Sequence, residues 1–137
     1  MIIAIDGPAG SGKSTVAKIV AEKLRFRYID TGSMYRSVAW KSLQKNTTLG
    51  DEEAVADIAF KTKIDLVSGE DGQLVFVDGE NITAQLKMEE VSRGAAIVAA
   101  QPIIRQIMTT KQRKLGKQGK VVMDGRDIGT VVFPQAN

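Results

Sequence analysis

The hydrophobic residues in the first part of the chain form short apolar runs, separated by a stretch with helical periodicity. Ile2–Ile5 has the length of a buried strand, and Arg25–Ile29 predicts a second short strand. Between these runs, apolar residues recur at helical spacing, at Val16, Ile19, Val20 and Leu24. This strand–helix–strand order predicts an α/β fold with a central parallel sheet.

Two further helices are predicted between residues 31 and 60. The first is capped by Thr31 or Ser33 and ends near Lys45–Asn46. The second covers Glu52–Phe60, with Asp51 near its start. Both helices are assigned to the α/β core.

The pattern then changes to closely spaced strands. Lys63–Val67 and Gln73–Val77 are strand-like runs joined by the turn-rich segment Ser68–Gly72, and Asn81–Thr83 is a third short strand. Strands this close in sequence pair antiparallel, because a parallel pair needs a long crossover. We therefore expect residues 61–86 to form a small antiparallel insert in a core made of residues 1–60 and 87–137.

The remaining part of the chain returns to the α/β pattern. Glu89–Ala100 predicts one helix, and Pro102 begins another. Val121–Met123 is another candidate for a buried parallel strand, followed by the short apolar segment Thr130–Phe133.

Composition limits the available chemistry. The chain has 137 residues, 43% of them hydrophobic and 26% charged, with a net charge of +3 and neither cysteine nor histidine. Disulfides and thiolate metal sites are excluded, and any reaction must use carboxylates, Lys, Arg and hydroxyl groups. The small net charge does not favour a nucleic acid partner, and no run approaches a membrane span. We therefore expect a cytoplasmic protein with small-molecule partners.

The segment after the first strand, Gly7–Ser14, matches the phosphate-binding loop pattern G-x-x-x-x-G-K-[ST] at every fixed position. Its glycines let successive backbone N–H groups turn toward a phosphate, and the positive end of the following helix adds to that field. Lys13 is expected to reach the outer phosphates, and Ser14 to ligate Mg²⁺. The predicted nucleotide site consists of Gly7, Pro8, Ala9, Gly10, Ser11, Gly12, Lys13, Ser14 and Thr15.

Acidic and arginine residues follow two other predicted strands, in the segments Asp30–Arg36 and Asp124–Asp127. Ligands of open α/β sheets bind at the carboxyl ends of the strands, so these groups and the phosphate-binding loop are expected to line one crevice. Arg36 and Arg126 can each hold a phosphate through a planar fork, and Asp124 either aligns Mg²⁺ through water or acts as a base. The alternative is that these residues are structural ion pairs and turn formers.

These motifs resemble those of the bacterial cytidylate kinase family, and the resemblance covers nearly the whole chain. The phosphate-binding loop is shared by many nucleotide-binding proteins, whereas Tyr28–Arg36 and Asp124–Pro134 are far more specific. The matching segments are Ile3–Ala17, Tyr28–Arg36, Val77–Thr83, Glu90–Ser92, Val98–Pro102 with Arg105, and Asp124–Pro134.

The resemblance implies a P-loop fold of three layers and transfer of the γ-phosphoryl group of ATP to CMP or dCMP, with Mg²⁺. The insert would be the monophosphate-binding domain, and the full-length protein a monomer. The catalytic residues would be Lys13, Asp124 and Arg126. The CMP-binding residues would be Thr31, Tyr35, Arg36, Arg105, Arg126 and Asp127, with the last two at the cytosine end.

The chain departs from the family pattern in two places. A serine that touches cytosine in one branch of the family falls at Ala96, so this contact is expected to change or to move to a neighbour. Family members also continue into another core strand, an arginine-rich lid and further core. Because residues 1–137 contain none of these, we expect a fragment, a truncated gene product or the ordered part of a longer chain. We expect residues 1–137 alone to bind nucleotide phosphates but to transfer phosphoryl groups poorly.

Three other functions fit the phosphate-binding loop to different degrees. A P-loop kinase for UMP or for a hydroxyl metabolite such as shikimate would share the loop and the fold. A non-catalytic nucleotide-binding fragment would bind ATP phosphates without turnover. A regulatory GTPase is disfavoured, because the sequence has no N-K-x-D motif for reading guanine.

Overall fold

The computed structural model describes residues 1–7, 13–69 and 72–125. The predictions for Pro8–Gly12, Arg126, Asp127 and Thr130–Phe133 lie outside the described residues, as do the side chains of Lys13 and Ser14. The chain divides into two compact units, one of residues 1–31 with 109–137 and one of residues 32–108.

The order of strands and helices along the chain follows the sequence predictions. In chain order they are β1 (Ile2–Asp6), α1 (Lys13–Leu24), β2 (Arg27–Asp30), α2 (Thr31–Gln44), α3 (Glu52–Lys61), β3 (Ile64–Gly69), β4 (Gly72–Val77), β5 (Glu80–Asn81), a 3₁₀ turn (Gln85–Lys87), α4 (Glu89–Ala99), α5 (Pro102–Gly116) and β6 (Val121–Gly125). Among the described residues, no helix is long and apolar enough to cross a membrane.

The first unit is built on a parallel sheet with the strand order β1-β6-β2. Strand β6 lies between the two strands that come first in the chain, and all five of its residues are buried. The register places Ile5 and Asp30 opposite Asp124, one on each side. The predicted parallel sheet is thus confirmed, and β6 extends two residues beyond the predicted Val121–Met123.

Helix α1 packs on this sheet through its smallest side chains. Ala17 and Ala21 are buried against Val122 of the central strand. Of the four apolar residues at helical spacing, Val20 packs against this cluster, whereas Val16, Ile19 and Leu24 are about half exposed. Alanines allow the helix axis to approach the sheet closely, and larger side chains on the same face would hold it away.

The end of α1 explains why β2 begins later than predicted. Arg25 has a φ of 56°, and the N–H of Phe26 donates to the carbonyl of Ala21 at 2.8 Å. The N–H of Arg25 also donates to the carbonyl of Glu22. Together the two hydrogen bonds form the pattern of a Schellman cap. Arg25 and Phe26 therefore end the helix instead of starting the strand.

Helix α2 begins and ends in different ways. Its end is confirmed, because Asn46 adopts a φ of 55° and Thr47 donates its N–H to Ser42 across a second Schellman cap. The predicted N-cap is wrong, since Thr31 is already helical and its hydroxyl donates to the carbonyl of Asp124 on β6 at 2.7 Å.

The second unit contains the predicted antiparallel strands, in the order β3-β4-β5. Asp78 and Gly79 both have positive φ, which is the conformation of a tight hairpin turn between β4 and β5. Strand β5 ends at Asn81 and not at Thr83, because the Asn81 side chain accepts the N–H and the hydroxyl of Thr83 and turns the chain. The domain boundaries at residues 61 and 86 stay a prediction.

The predicted helices of this unit are also present. Asp51 caps α3 by accepting the N–H of Ala54, and α5 begins at Pro102. The 3₁₀ turn at Gln85–Lys87 was not indicated by the sequence pattern.

Candidate functional site

The three parallel strands of the first unit end at one edge of the sheet. Asp6, Asp30 and Asp124 lie at or beside the carboxyl ends of β1, β2 and β6. The N–H of Gly7 donates to the carbonyl of Gly125 at 3.2 Å, which continues the β1–β6 pairing by one residue. This amide is therefore used by the sheet.

Asp124 is held at this edge through both its side chain and its main chain. Asp124 is fully buried, and its Oδ2 accepts a hydrogen bond of 2.7 Å from the hydroxyl of Tyr28. Its backbone carbonyl accepts a second bond of 2.7 Å from the hydroxyl of Thr31. Strand β2 and the first residue of α2 thus hold both the carboxylate and the main chain at the end of β6.

Asp30 lies directly opposite Asp124 in the register, so both carboxylates are on the same face of the sheet. Like charges placed opposite each other destabilise a sheet unless a counter-charge or other polar group compensates them. The described residues contain no group of three or more His, Cys, Asp or Glu that could hold a metal ion alone. Mg²⁺ binds through one or two carboxylates with water and substrate phosphates, so this donor set fits it.

Helix α1 begins at Lys13, within the phosphate-binding loop pattern Gly7–Ser14. The first amides of a helix lack intrahelical partners and carry a partial positive charge, which makes its N-terminus a site for anions. Thr15, in the first turn, is exposed. The described backbone therefore has the strand before the motif and the helix at its end that the motif requires.

The second unit carries three of the predicted CMP-binding residues. Tyr35 and Arg36 are half-buried in the first part of α2, and Nη2 of Arg36 donates to the Ser33 hydroxyl at 3.1 Å. Arg105 is exposed on the first turn of α5. Thr31 belongs to the first unit, so the assembly of these residues into one acceptor site stays a prediction. Ala96 is exposed on α4.

The residue that the sequence analysis missed is Tyr28. Alternation along β2 puts Tyr28 on the same face as Asp30, so its direction could have been read from the sequence. Its hydrogen bond to Asp124 could not be read from the sequence, because that bond depends on β6 lying beside β2. Nζ of Lys18 is 5.9 Å from the centroid of the Tyr28 ring, within the range of a cation–π contact.

Comparisons with known proteins agree with the resemblance. A family model described as Cytidylate kinase matches residues 3–137. A cytidylate kinase of Geobacillus sp. strain WCH70 is 53% identical over 134 residues, and one of Bacillus subtilis strain 168 is 52% identical over 134 residues. Each alignment covers 98% of this chain and 60% of the relative. The chain thus spans about 60% of the length of these curated relatives.

Proposed function

The chain belongs to the cytidylate kinase family, and we propose that the protein transfers the γ-phosphoryl group of ATP to CMP or dCMP, giving ADP and CDP or dCDP. The observation that carries this proposal is the common edge of β1, β6 and β2. There the strand that leads into the phosphate-binding loop ends beside the buried Asp124. The similarity to relatives named cytidylate kinase supports CMP as the acceptor.

The donor site is proposed to be the loop from Gly7 to Thr15. The backbone amides after Gly7 and the start of α1 receive the ATP phosphates. Lys13, the first residue of that helix, bridges the donor and the transferred phosphate. A lysine suits this task because its compact charge can follow the phosphoryl group as it moves.

Ser14 and Asp124 are proposed to organise Mg²⁺, with Ser14 as the direct ligand. The ion, when bound, neutralises charge that develops on the phosphate oxygens. Tyr28 and Thr31 fix the orientation of Asp124 before any ligand arrives, through the two 2.7 Å hydrogen bonds. This preorganisation reduces the rearrangement that binding would require.

The acceptor site is proposed to use hydroxyl groups and arginines. Arg36, which donates a hydrogen bond to the Ser33 hydroxyl, binds the phosphate of CMP through its planar guanidinium group. Arg126 also serves catalysis and, with Asp127, contacts the cytosine end. The complete proposed set is Thr31, Tyr35, Arg36, Arg105, Arg126 and Asp127.

The reaction needs no histidine. An oxygen of the CMP phosphate forms a bond to the γ-phosphorus while the bond from that phosphorus to the bridging oxygen breaks, and ADP leaves with the electron pair. Such transfer depends on positioning and charge neutralisation, which lysine and arginine provide. The cytoplasmic location, the monomeric state and the insert at residues 61–86 are part of the same proposal.

Acceptor comparison tests the function. ADP release from ATP and Mg²⁺ would be followed with CMP, dCMP, UMP, AMP and shikimate at equal concentrations. We expect CMP and dCMP to give the highest kcat/KM. A higher kcat/KM with UMP or shikimate would show that CMP is not the acceptor. Binding of ATP without release of ADP with any acceptor would indicate a non-catalytic nucleotide-binding protein.

A further inference from the structure

Gln101 is a buried polar residue with an unusual environment in the second unit. It lies between α4 and α5, and only 6% of its surface is exposed. Its Nε2 donates a 2.7 Å hydrogen bond to the carbonyl of Leu49, a residue 52 positions earlier in the chain. Its Oε1 is buried and accepts no hydrogen bond from the described residues. The amide must point this way, because the opposite orientation would bring two acceptor oxygens together.

The main chain of Gln101 supports α5 at its first turn. The carbonyl of Gln101 accepts the N–H of Arg105 at 3.1 Å. Arg105 is the exposed arginine that the proposed function places against CMP. Gln101 thus connects Arg105 to Leu49 through one side-chain bond and one backbone bond.

Leu49 in turn lies where α2 and α4 approach closely. A Cβ added at Gly94 of α4 would come within 2.9 Å of Leu49 Cδ1 and 3.2 Å of Ala39 Cβ on α2. The absence of a side chain at Gly94 therefore lets these two helices and Leu49 meet. Helix α2 also carries Tyr35 and Arg36, so the same contacts link two groups of proposed CMP-binding residues within this unit.

We propose that Gln101 is a positioning residue for the acceptor site, which sets the orientation of Arg105 by tying the start of α5 to Leu49. This inference rests on the proposed function, because it assumes that Arg105 contacts CMP. A buried amide with one unused acceptor costs more than an apolar side chain of similar size if packing is its only role. Its hydrogen bond to Leu49 gives the amide a role that an apolar residue could not supply.

The test uses Gln101→Met, which keeps the length of the side chain and removes the donor. Gln101→Glu is a second variant, since an ionised carboxylate cannot donate to Leu49. Gln44→Met, on an exposed position of α2, is the matched control. Calorimetry would give Kd for CMP and for ATP separately, and thermal unfolding would report the fold of each variant.

We expect both Gln101 variants to raise Kd for CMP roughly 5- to 20-fold, within the usual range of coupling between contacting residues, and to leave Kd for ATP within about twofold. The control should change neither value. In an Arg105→Ala background, Gln101→Met should have no further effect on CMP, while its effect on the melting temperature should persist. If Gln101 had only a structural role, its substitution would not weaken CMP binding selectively over ATP binding, nor would that effect on CMP depend on Arg105.

Two results would overturn the inference, and they are distinguishable. If the wild-type protein binds CMP and the Gln101 variants leave its Kd unchanged, or if their effect is the same without Arg105, the positioning role is wrong and the function stands. If the wild-type protein binds ATP but not CMP, the proposed function fails and the inference fails with it.

Discussion

The hydroxyl of Tyr28 donates a 2.7 Å hydrogen bond to Oδ2 of Asp124, which connects strand β2 to the buried end of the central strand β6. Tyr28 is paired with Val122, so it reaches Asp124 diagonally along the same face of the sheet. Thr31 holds the carbonyl of the same aspartate. The orientation of this carboxylate therefore depends on the register of β2 with β6.

We predict that Tyr28→Phe lowers the free energy of unfolding by about 1–3 kcal/mol, because a buried carboxylate loses a hydrogen-bond donor. Activity should fall roughly 10- to 100-fold, because Tyr28 orients Asp124 and the proposed function gives Asp124 a part in organising Mg²⁺. Urea unfolding and ADP release would measure these effects. In an Asp124→Asn background, Tyr28→Phe should lower the free energy of unfolding and the activity by less than in the wild-type background. Equal losses in both backgrounds would rule out coupling through Asp124.

We predict that Lys13→Ala reduces phosphoryl transfer by on the order of a hundredfold or more and leaves the fold intact. The reason is the loss of the charge that the proposed function assigns to the transferring phosphate. Lys23→Ala, on an exposed position in the last turn of the same helix, is the control and should retain activity. Near-normal turnover of folded Lys13→Ala would contradict the assignment of Lys13 as catalytic.

We predict that Arg36→Lys weakens CMP binding roughly tenfold or more and changes ATP binding little. Lysine keeps the charge but loses the two-point fork and the bond to Ser33. Calorimetry with each nucleotide separately would measure both values. Arg93→Lys is the control, because Arg93 is exposed and its contact with Glu89, at 4.0 Å, is weak. An equal loss for CMP and ATP would assign Arg36 a general structural role.

Asp78 makes the stability of the second unit dependent on acidity. The backbone N–H of Lys63 and the nearby Lys41 hold the pKa of Asp78 below its ordinary value of 3.8. Its Oδ2 is 3.2 Å from Nζ of Lys41 on α2. A group with a lowered folded-state pKa contributes stability above its unfolded value, and that contribution is lost as the pH falls through the folded pKa.

We therefore predict that Asp78→Asn lowers stability at pH 7 by less than about 1 kcal/mol, and that its difference from wild type shrinks below about pH 3.8. Asparagine tolerates the positive φ and can still accept the N–H of Lys63, so the substitution isolates the charge. Urea unfolding at pH 7 and pH 3 would show the change. Asp57→Asn, at an exposed ion pair with Lys61, is the control. A difference that grows toward pH 3 would contradict the argument.

Local patterns predicted most of the elements. The close spacing of the β3 and β4 runs, with a turn-rich connection, predicted the antiparallel pairing, because a parallel pair needs a long crossover. Asn46 near the end of α2 was also recognisable, since asparagine adopts the left-handed conformation more readily than most residues. Arg25 has the same conformation at the end of α1, and nothing in its residue type indicates it.

The sequence by itself determined the phosphate-binding loop pattern, the α/β class and the family resemblance, because these depend on the order and spacing of neighbouring residues. The tertiary structure decided which face of α1 is buried, because the approach of Ala17 and Ala21 to Val122 depends on the central position of β6. It also paired Tyr28 with Asp124, 96 residues apart, and Gln101 with Leu49. Such contacts depend on strand order and helix packing, which no local pattern encodes.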